Sequence, residues 1–531
     1  MSQDQMLERA MPWLFLLGSL AAWEAGCILF PVPNFTRKLD YAAGSWRDCR
    51  KEAGQPMARQ KLTAVQGRWT LIGSGANAAV VENRTVVIEG GKIAGIVAEL
   101  PEDADEVIAL DGALVLPGLI NLHNHSFSAP LFRGIVDDLD TSKLGGDFVY
   151  SFLLPMGALA VSVLDRAEQE AIIEMAMIQL LKTGSTTVME MWRINQDFFF
   201  DVARRAGIRA YGCPYQFSTS DLNIGADGQP TYGSGHGADT GLERAVELFK
   251  QHDHGPAGRI RVGLGPHGVD TCSPDLLQAV RAKANELGCP IAIHVAQSPP
   301  EVAAVRARFG KSPVEHLRDL GILGPDVVAA HCIYATDADL TILREAGATI
   351  ATCPLTYARV GVTAPFDRFH ASGARVGIGT DGYCLDLLLE LRAAGLIAKT
   401  RSARGHAATA AELIGAVTSS GAAALGRSDL GVIAPGARAD LIVVDMKKPH
   451  LAPALDPLRS LVWNGSGADV ASVIVDGETV VRNGVYLRGD ESTIVEQASA
   501  AVEKVWRQAA AIGLLQRALN ARAAPLKQPG Q

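Results

Sequence analysis

Cysteine pairs of the CxxC type are absent from this chain, whose eight cysteines (positions 27, 49, 213, 272, 289, 332, 353 and 384) are scattered. That distribution speaks against a disulfide framework and against a structural zinc knot, and it fits a reducing compartment. Basic clusters are missing too. Aromatic residues make up only 6% of the chain, the formal net charge is -8, and no Lys/Arg run is interleaved with aromatics, so a nucleic-acid partner is not expected. The apolar stretch Trp13–Trp23, WLFLLGSLAAW, falls short of the ~20 residues of a membrane span, and Glu24 follows it closely. It reads as a helix packing on the body or a partner, as a poor signal peptide, or as an over-extended gene start with Met57 as initiator. The first and third fit better, because the preceding segment is not distinctly basic. The expected location is the cytoplasm, with export left open.

What is present is material for a large core. Hydrophobic residues make up 48% and charged residues 20% of 531 residues, which excludes global disorder. The length exceeds one ordinary domain, although an α/β barrel alone runs to about 250 residues or more.

The stretch Leu114–Phe127, LVLPGLINLHNHSF, stands out. An apolar run ends abruptly in His123 and His125, separated by one residue. Alternate residues of a strand point to the same side, so the two imidazoles project together. Such a pair is half of a first-row metal site, although two histidines can also be ordinary hydrogen-bonded core residues.

From Lys61 to Val115 short β-rich runs alternate with glycine turns, and Gly90–Gly91 between Val/Ile runs reads as a hairpin. Matching material returns at Ala439–Met446 and Val473–Gly484. Segments 61–115 and 430–487 are therefore expected to build one small β-sandwich domain from both ends of the chain. Between them, strand candidates alternate with amphipathic stretches such as Ala167–Lys182, Pro274–Leu287 and Asp337–Ala346. The candidates are TTVMEM, IRAYGCPYQ, RIRVGLGPHG, PIAIHVAQ, VVAAHCIY, TIATCPLT and RVGIGTDG. With the opening strand they number eight, which predicts an α/β (β/α)8 barrel over 116–429 with its active site where the strands end. Helices are expected over Leu385–Thr400, Thr409–Leu425 and Glu491–Leu519, the last within a 488–531 tail; 1–60 is an extension of uncertain order. Polar residues sit where the barrel requires them: His123, His125, His267, His294, His331 and Asp381 close their strands. Any one of them could be a satisfied core histidine or a capping Asp; together on one rim they point to chemistry.

The chain resembles the amidohydrolase superfamily, in its atrazine/triazine-hydrolase and aminohydrolase branch. The carriers are PGLINLHNH, PHGVDTCS, IHVAQS followed by FGKSPVEHL, AHCIYATDADL and GIGTDG, with DLGVIAPGARADLIVVD and VIVDGETVVRNG matching the family's β-domain. The resemblance implies one divalent metal per chain, zinc first, with iron, manganese or cobalt as other choices. Its ligands would be His123, His125, His294 and Asp381. His331 would orient the attacking water or the substrate carbonyl, and catalysis would rest on Asp381 and His331. No Lys ends the fourth strand, where binuclear relatives carry a carboxylated lysine; His267 stands there instead, which implies a mononuclear site and a substrate contact. A metal lowers the pKa of bound water towards neutrality, and Asp381 could take the proton on attack and return it to the leaving group. The resemblance also implies a small-molecule substrate and a homo-oligomer.

One departure bears on the reaction. Family deaminases generally show His-x-x-Glu on the fifth strand; here that position is Gln297, and a carboxamide has no proton to transfer near neutral pH. A carbonyl substrate needs less help, so amide, urea or carbamate hydrolysis is favoured. Alternatively, Gln297 merely positions substrate. Glu190 is a candidate replacement acid, or a core-paired carboxylate. Phe127, Arg133, Trp192 and Tyr215 would give an aromatic, largely neutral pocket, with Arg133 gripping a polar group or serving as an ion-pair partner. Tyr357, where the family commonly has Asn, suggests a different substrate shape. The competing readings are a deaminase or dehalogenase of a purine- or triazine-like heterocycle, and a catalytically silent binding protein.

Overall fold

The computed structural model describes residues 60–134, 149–192, 197–218, 222–224, 230–232, 241–255 and 258–514. Trp13–Trp23, Met57, Cys27, Cys49 and the end of the expected last helix lie outside the described residues. Among the described residues no helix is long and apolar enough to cross a membrane. All six described cysteines carry free thiols.

Both ends of the chain contribute to one nine-stranded sheet. Leu62–Ile72, Ala79–Glu89, Lys92–Val97, Glu106–Ala109 and Ala113–Pro117 come from the first part. Leu441–Asp445, Val470–Val475, Glu478–Arg482 and Val485–Tyr486 come from the second. The two sets join where Ala113–Pro117 pairs antiparallel with Leu441–Asp445. Gly90 and Gly91 make the expected hairpin turn, both with positive φ (59° and 76°), the geometry of a two-residue turn that side chains resist.

Eight central strands are parallel. Leu119–Asn124 pairs with Ser185–Trp192, which pairs with Arg209–Gln216. Next comes a broken strand, Ile260–Val262 and Gly265–Pro266. Bridges Leu264 to Ile291 and Gly268 to His294 lead to Ile291–Val295. Val327–His331, Thr349–Thr352 and Arg375–Ile378 follow in order. A bridge from Asn124 to Asp381 returns to the first strand. Nearly every residue of these strands is buried, as expected of parallel strands covered by helices. The helices are bounded by local chemistry. Arg166–Lys182 starts at a capping box of Asp165 and Glu168. Pro274–Leu287 begins at Ser273 with Pro at its first position and ends at Gly288, φ 63°.

The stretch expected as one helix over Thr409–Leu425 is two, Ala410–Ala416 and Ser419–Ala424. At the break, the Val417 carbonyl leaves the helix to accept the backbone N–H of Ile120 on the first central strand. Among the elements that went unexpected are the strand Glu106–Ala109, the helical stretch 149–163, the paired strands Leu222–Ile224 and Pro230–Tyr232, and the helix Pro457–Asn464.

The composite sheet is pinned to the central strands by charge. Arg209, fully buried at the start of its strand, makes a bidentate pair with Asp440, Nε–Oδ2 2.8 Å and Nη2–Oδ1 2.9 Å. Burial alone would raise the Asp440 pKa, but the guanidinium overrides it and holds the carboxyl below its ordinary value. Asp440→Ala would leave the buried Arg209 with Asp476 (3.2 Å) as its remaining carboxylate partner and is expected to cost up to about 3–5 kcal/mol, read as a lowered unfolding midpoint. Because the folded pKa is depressed, this contribution is full above the ordinary Asp value of about 4 and is lost as pH falls further, so the variant and the parent should converge in acid.

Candidate functional site

The C-terminal ends of the central strands carry the polar groups. His123 lies in the six-residue buried strand Leu119–Asn124, and His125 directly follows it. His294 lies in Ile291–Val295, His331 ends Val327–His331, and Asp381 follows Arg375–Ile378. Their rings meet: His123 to His125 4.7 Å between centroids, to His331 4.7 Å and to His294 5.0 Å. Asp381 Oδ1 lies 3.4 Å from His125 Nε2 and 3.9 Å from His123 Nε2.

The strand ends are strained to achieve this. Ala296, His331, Cys332 and Asp381 have positive φ (48°, 75°, 53° and 55°), conformations that cost on the order of 1–3 kcal/mol each outside glycine. Close approach of the first and eighth strands requires Gly379, where a Cβ would come within 2.6 Å of the His123 carbonyl oxygen.

Ligand atoms form three trios, each within 4.8 Å: His123, His294 and His331; His123, His125 and Asp381; and His331, Cys353 and Asp381. The hydrogen bonds select the nitrogens. His125 Nδ1 bonds the Met191 carbonyl at 2.8 Å, and His294 Nδ1 bonds the His267 carbonyl. A carbonyl only accepts, so both Nδ1 atoms carry a proton, and in the neutral ring of that tautomer the lone pair is on Nε2. His123 Nε2 is buried with no partner. Burial, reinforced by the neighbouring imidazoles, holds His123 and His331 well below the usual histidine range, and brings His294 to about 3. Neutral imidazoles, an orphaned buried nitrogen and a nearby carboxylate are the donor set a divalent cation such as zinc takes, and these residues fit one.

Beside them lies a cavity of about 590 Å³, whose apolar and aromatic lining includes Phe127, Phe132, Leu153, Leu154, Trp192 and Tyr215. Trp192 stacks on Phe199 at 4.4 Å. His267 reaches the cavity with its ring against Tyr215 and Phe217, and its Nδ1 bonds Thr271 Oγ1 at 2.9 Å. Gln297 also lines it, 5% exposed, with Nε2 lacking a hydrogen-bond partner. Its backbone is clamped: Gln297 N–H donates to Glu301, and Tyr357 Oη donates to the Gln297 carbonyl. Tyr357 itself lines the cavity.

Two expectations change. Arg133 is not among the cavity-lining residues; it is exposed and donates to Gln179 of the helix Arg166–Lys182. Glu190 borders the cavity, but its carboxyl is committed. Oε1 accepts Ser126 N–H, and Oε2 accepts Asn124 Nδ2 and the Ser126 hydroxyl. Burial raises it to about 8 despite those donors. Those contacts are the ones expected of a core-paired carboxylate.

Sequence reasoning missed Cys353, whose thiol lies with His331 and Asp381, and the buried polar side chains Asn121, Asn124 and Thr380 beneath them. It also missed Glu301, which accepts the Ala296 and Gln297 N–H groups. For Glu301 a signal existed: Ser298-x-x-Glu301 is a helix-start pattern.

Residues 114–480 match the amidohydrolase family model. The chain belongs to the amidohydrolase family. Among its relatives is a 5'-deoxyadenosine deaminase of Methanosarcina mazei, 33% identical over 435 residues, 81% of this chain and 95% of that one. Another is a 5-methylthioadenosine/S-adenosylhomocysteine deaminase of Thermococcus onnurineus, 33% identical, covering 77% of this chain and 91% of that one. Two solved structures share the fold. An adenosine deaminase from Xanthomonas campestris with bound zinc has TM-score 0.73 and 23% identity, covering 84% of this chain and 98% of that one. A zinc complex of atrazine chlorohydrolase from Arthrobacter aurescens has TM-score 0.72 and 23% identity, covering 83% and 100%. The amidohydrolase thus has its family's mixed α/β fold with an added domain, and it is a hydrolase.

Substituting His123 or His294 by Ala is expected to reduce bound divalent metal to a small fraction of the parent's, measured by elemental analysis. Arg133→Ala should leave metal content unchanged.

Proposed function

We propose that this amidohydrolase is a metal-dependent enzyme built on a closed (β/α)8 barrel, cleaving the C–N bond of an amide, urea or carbamate in a small, largely neutral aromatic molecule. His123, His125, His294 and Asp381 would hold the ion, zinc first. Bound there, it would supply Lewis acidity and an activated water near neutral pH.

The observation that carries the choice of bond is Gln297. It borders the cavity two residues past the strand that bears His294, and it offers an N–H donor but no transferable proton. Protonating a ring nitrogen, as deamination of a heterocycle requires, has no carboxyl donor at this position, and Glu190, the buried acid at the cavity border, is tied to Asn124 and Ser126. A carbonyl carbon needs only that its oxygen be stabilised and its leaving amine be protonated. His331 would serve the first task; its ring lies 5.2 Å from that of Tyr357, and both line the cavity. Asp381 can take a proton from the attacking water as the C–O bond forms, then pass it to the amine nitrogen as the C–N bond breaks. Apolar and aromatic lining suits a neutral aromatic group.

Deamination of a nucleoside-like heterocycle is the second reading, favoured by the 33% identity to two deaminases. The test is a panel with separate readouts for amine and for ammonia. Amine release from anilides, phenylureas or carbamates is expected, with little ammonia from aminopurine nucleosides or aminotriazines. Brisk ammonia release would favour the second reading. Gln297→Glu should keep anilide or urea hydrolysis within about tenfold, since the missing general acid–base group, worth typically 10²–10⁴-fold, is not what that reaction uses.

A further inference from the structure

The buried side chains Glu190, Asn124, Thr380 and Asn121 form a continuous hydrogen-bonded strap across the second, first and eighth central strands. We infer that this strap is a positioning device for His123, His125 and Asp381, so that Glu190 and Thr380 govern how tightly the cation is held without touching it. The inference rests on the metal reading above.

Its geometry follows the proposed ligands residue by residue. Asn121 Oδ1 accepts the backbone N–H of His123 (3.3 Å) and of Thr380 (3.2 Å), the residue before Asp381. Asn121 Nδ2 donates to Thr380 Oγ1 at 2.6 Å, and that hydroxyl donates onward to Asn124 Oδ1 at 2.8 Å. Asn124, between the two histidines, donates to Glu190 Oε2 at 2.5 Å. Glu190 then takes both the N–H (2.5 Å) and the hydroxyl (2.8 Å) of Ser126, the residue after His125. The next residue, Met191, supplies the carbonyl that holds His125 Nδ1.

Filling space is an inadequate account of these groups. All four side chains are at most 1% exposed, and burying polar groups is unfavourable unless every one finds a partner. They also lie at the seam between the first and eighth strands, where a full ladder is replaced by the Asn124–Asp381 bridge and three backbone hydrogen bonds: Thr380 and Asp381 N–H to the His123 carbonyl, and His125 N–H to the Asp381 carbonyl. Those few backbone bonds hold the main chains together, and the side-chain strap adds the constraint that braces His123, His125 and Asp381 against the second strand. Groups that orient metal ligands typically change affinity by about 10- to 100-fold when lost.

The test uses zinc alone as probe, with the metal-stripped full chain in competition against a chromophoric chelator. Thr380→Val removes the hydroxyl at nearly constant shape. Glu190→Gln replaces the oxygen that accepts from Asn124 by an amide N–H₂, setting donor against donor. Each is expected to weaken zinc binding by about 10- to 100-fold. The double variant should lose less than the product of the two, since both cut one network. Asp440→Asn, which disturbs a buried carboxylate away from the site, should lower the unfolding midpoint while zinc affinity stays at the parent value. Should Glu190→Gln not fold, Ser126→Ala, which removes only a hydroxyl, is expected to weaken zinc several-fold. Zinc uptake by the parent with unchanged affinity in the strap variants overturns the strap alone. A parent that takes up no zinc overturns the metal reading and this one with it.

Discussion

Three imidazoles almost fully withdrawn from water, with a fourth and a carboxylate at their edge, form the constraint on which the rest of the structure depends. Placed so close, the rings cannot all be charged, and burial keeps His123, His294 and His331 neutral. Neutral rings must still satisfy their nitrogens. Backbone carbonyls of Met191 and His267 take one nitrogen each from His125 and His294, which turns the other nitrogens inward. The left-handed residues at the strand ends and the bare Gly379 then read as consequences: chain geometry gives way so that side chains can converge.

The scaffold around this point carries the strain. Parallel strands buried throughout supply rigidity, and the Arg209–Asp440 pair locks the composite sheet beneath them. On another side the helix Glu491–Ala511, beyond the family-matched residues, supports the cavity wall. Trp506 donates its indole N–H to the Leu131 carbonyl at 2.7 Å, and its ring lies 6.0 Å from Phe152, next to the cavity residues Phe132 and Leu153. Lys504 pairs with Glu168 at the start of Arg166–Lys182, and Lys182 with Glu491 at its end. The chemistry is thus held by elements that take no part in it.

Much of this was legible beforehand, because the signals were local. Strands such as Val327–His331 are apolar runs that end in one polar residue; helices such as Pro274–Leu287 carry their own start and stop residues. The helix break at Val417 was hidden, since it exists to serve a backbone N–H almost 300 residues earlier in the chain. Arg133 was misplaced for a similar reason: which way a residue faces after a strand end depends on what packs there, in this case Gln179.

By itself, the order of residues determined the alternation of strands and helices, the return of the chain end to its beginning, and the polar groups that close each strand. Those properties are written in short-range periodicity, capping and turn chemistry. The tertiary structure alone decided that Glu190 is spent on Asn124 and Ser126, that Gln297 keeps a free amide at the cavity, and which imidazole nitrogens face inward. Each of those outcomes depends on a hydrogen-bond partner distant in the chain, or on the lack of one, and no local pattern specifies either.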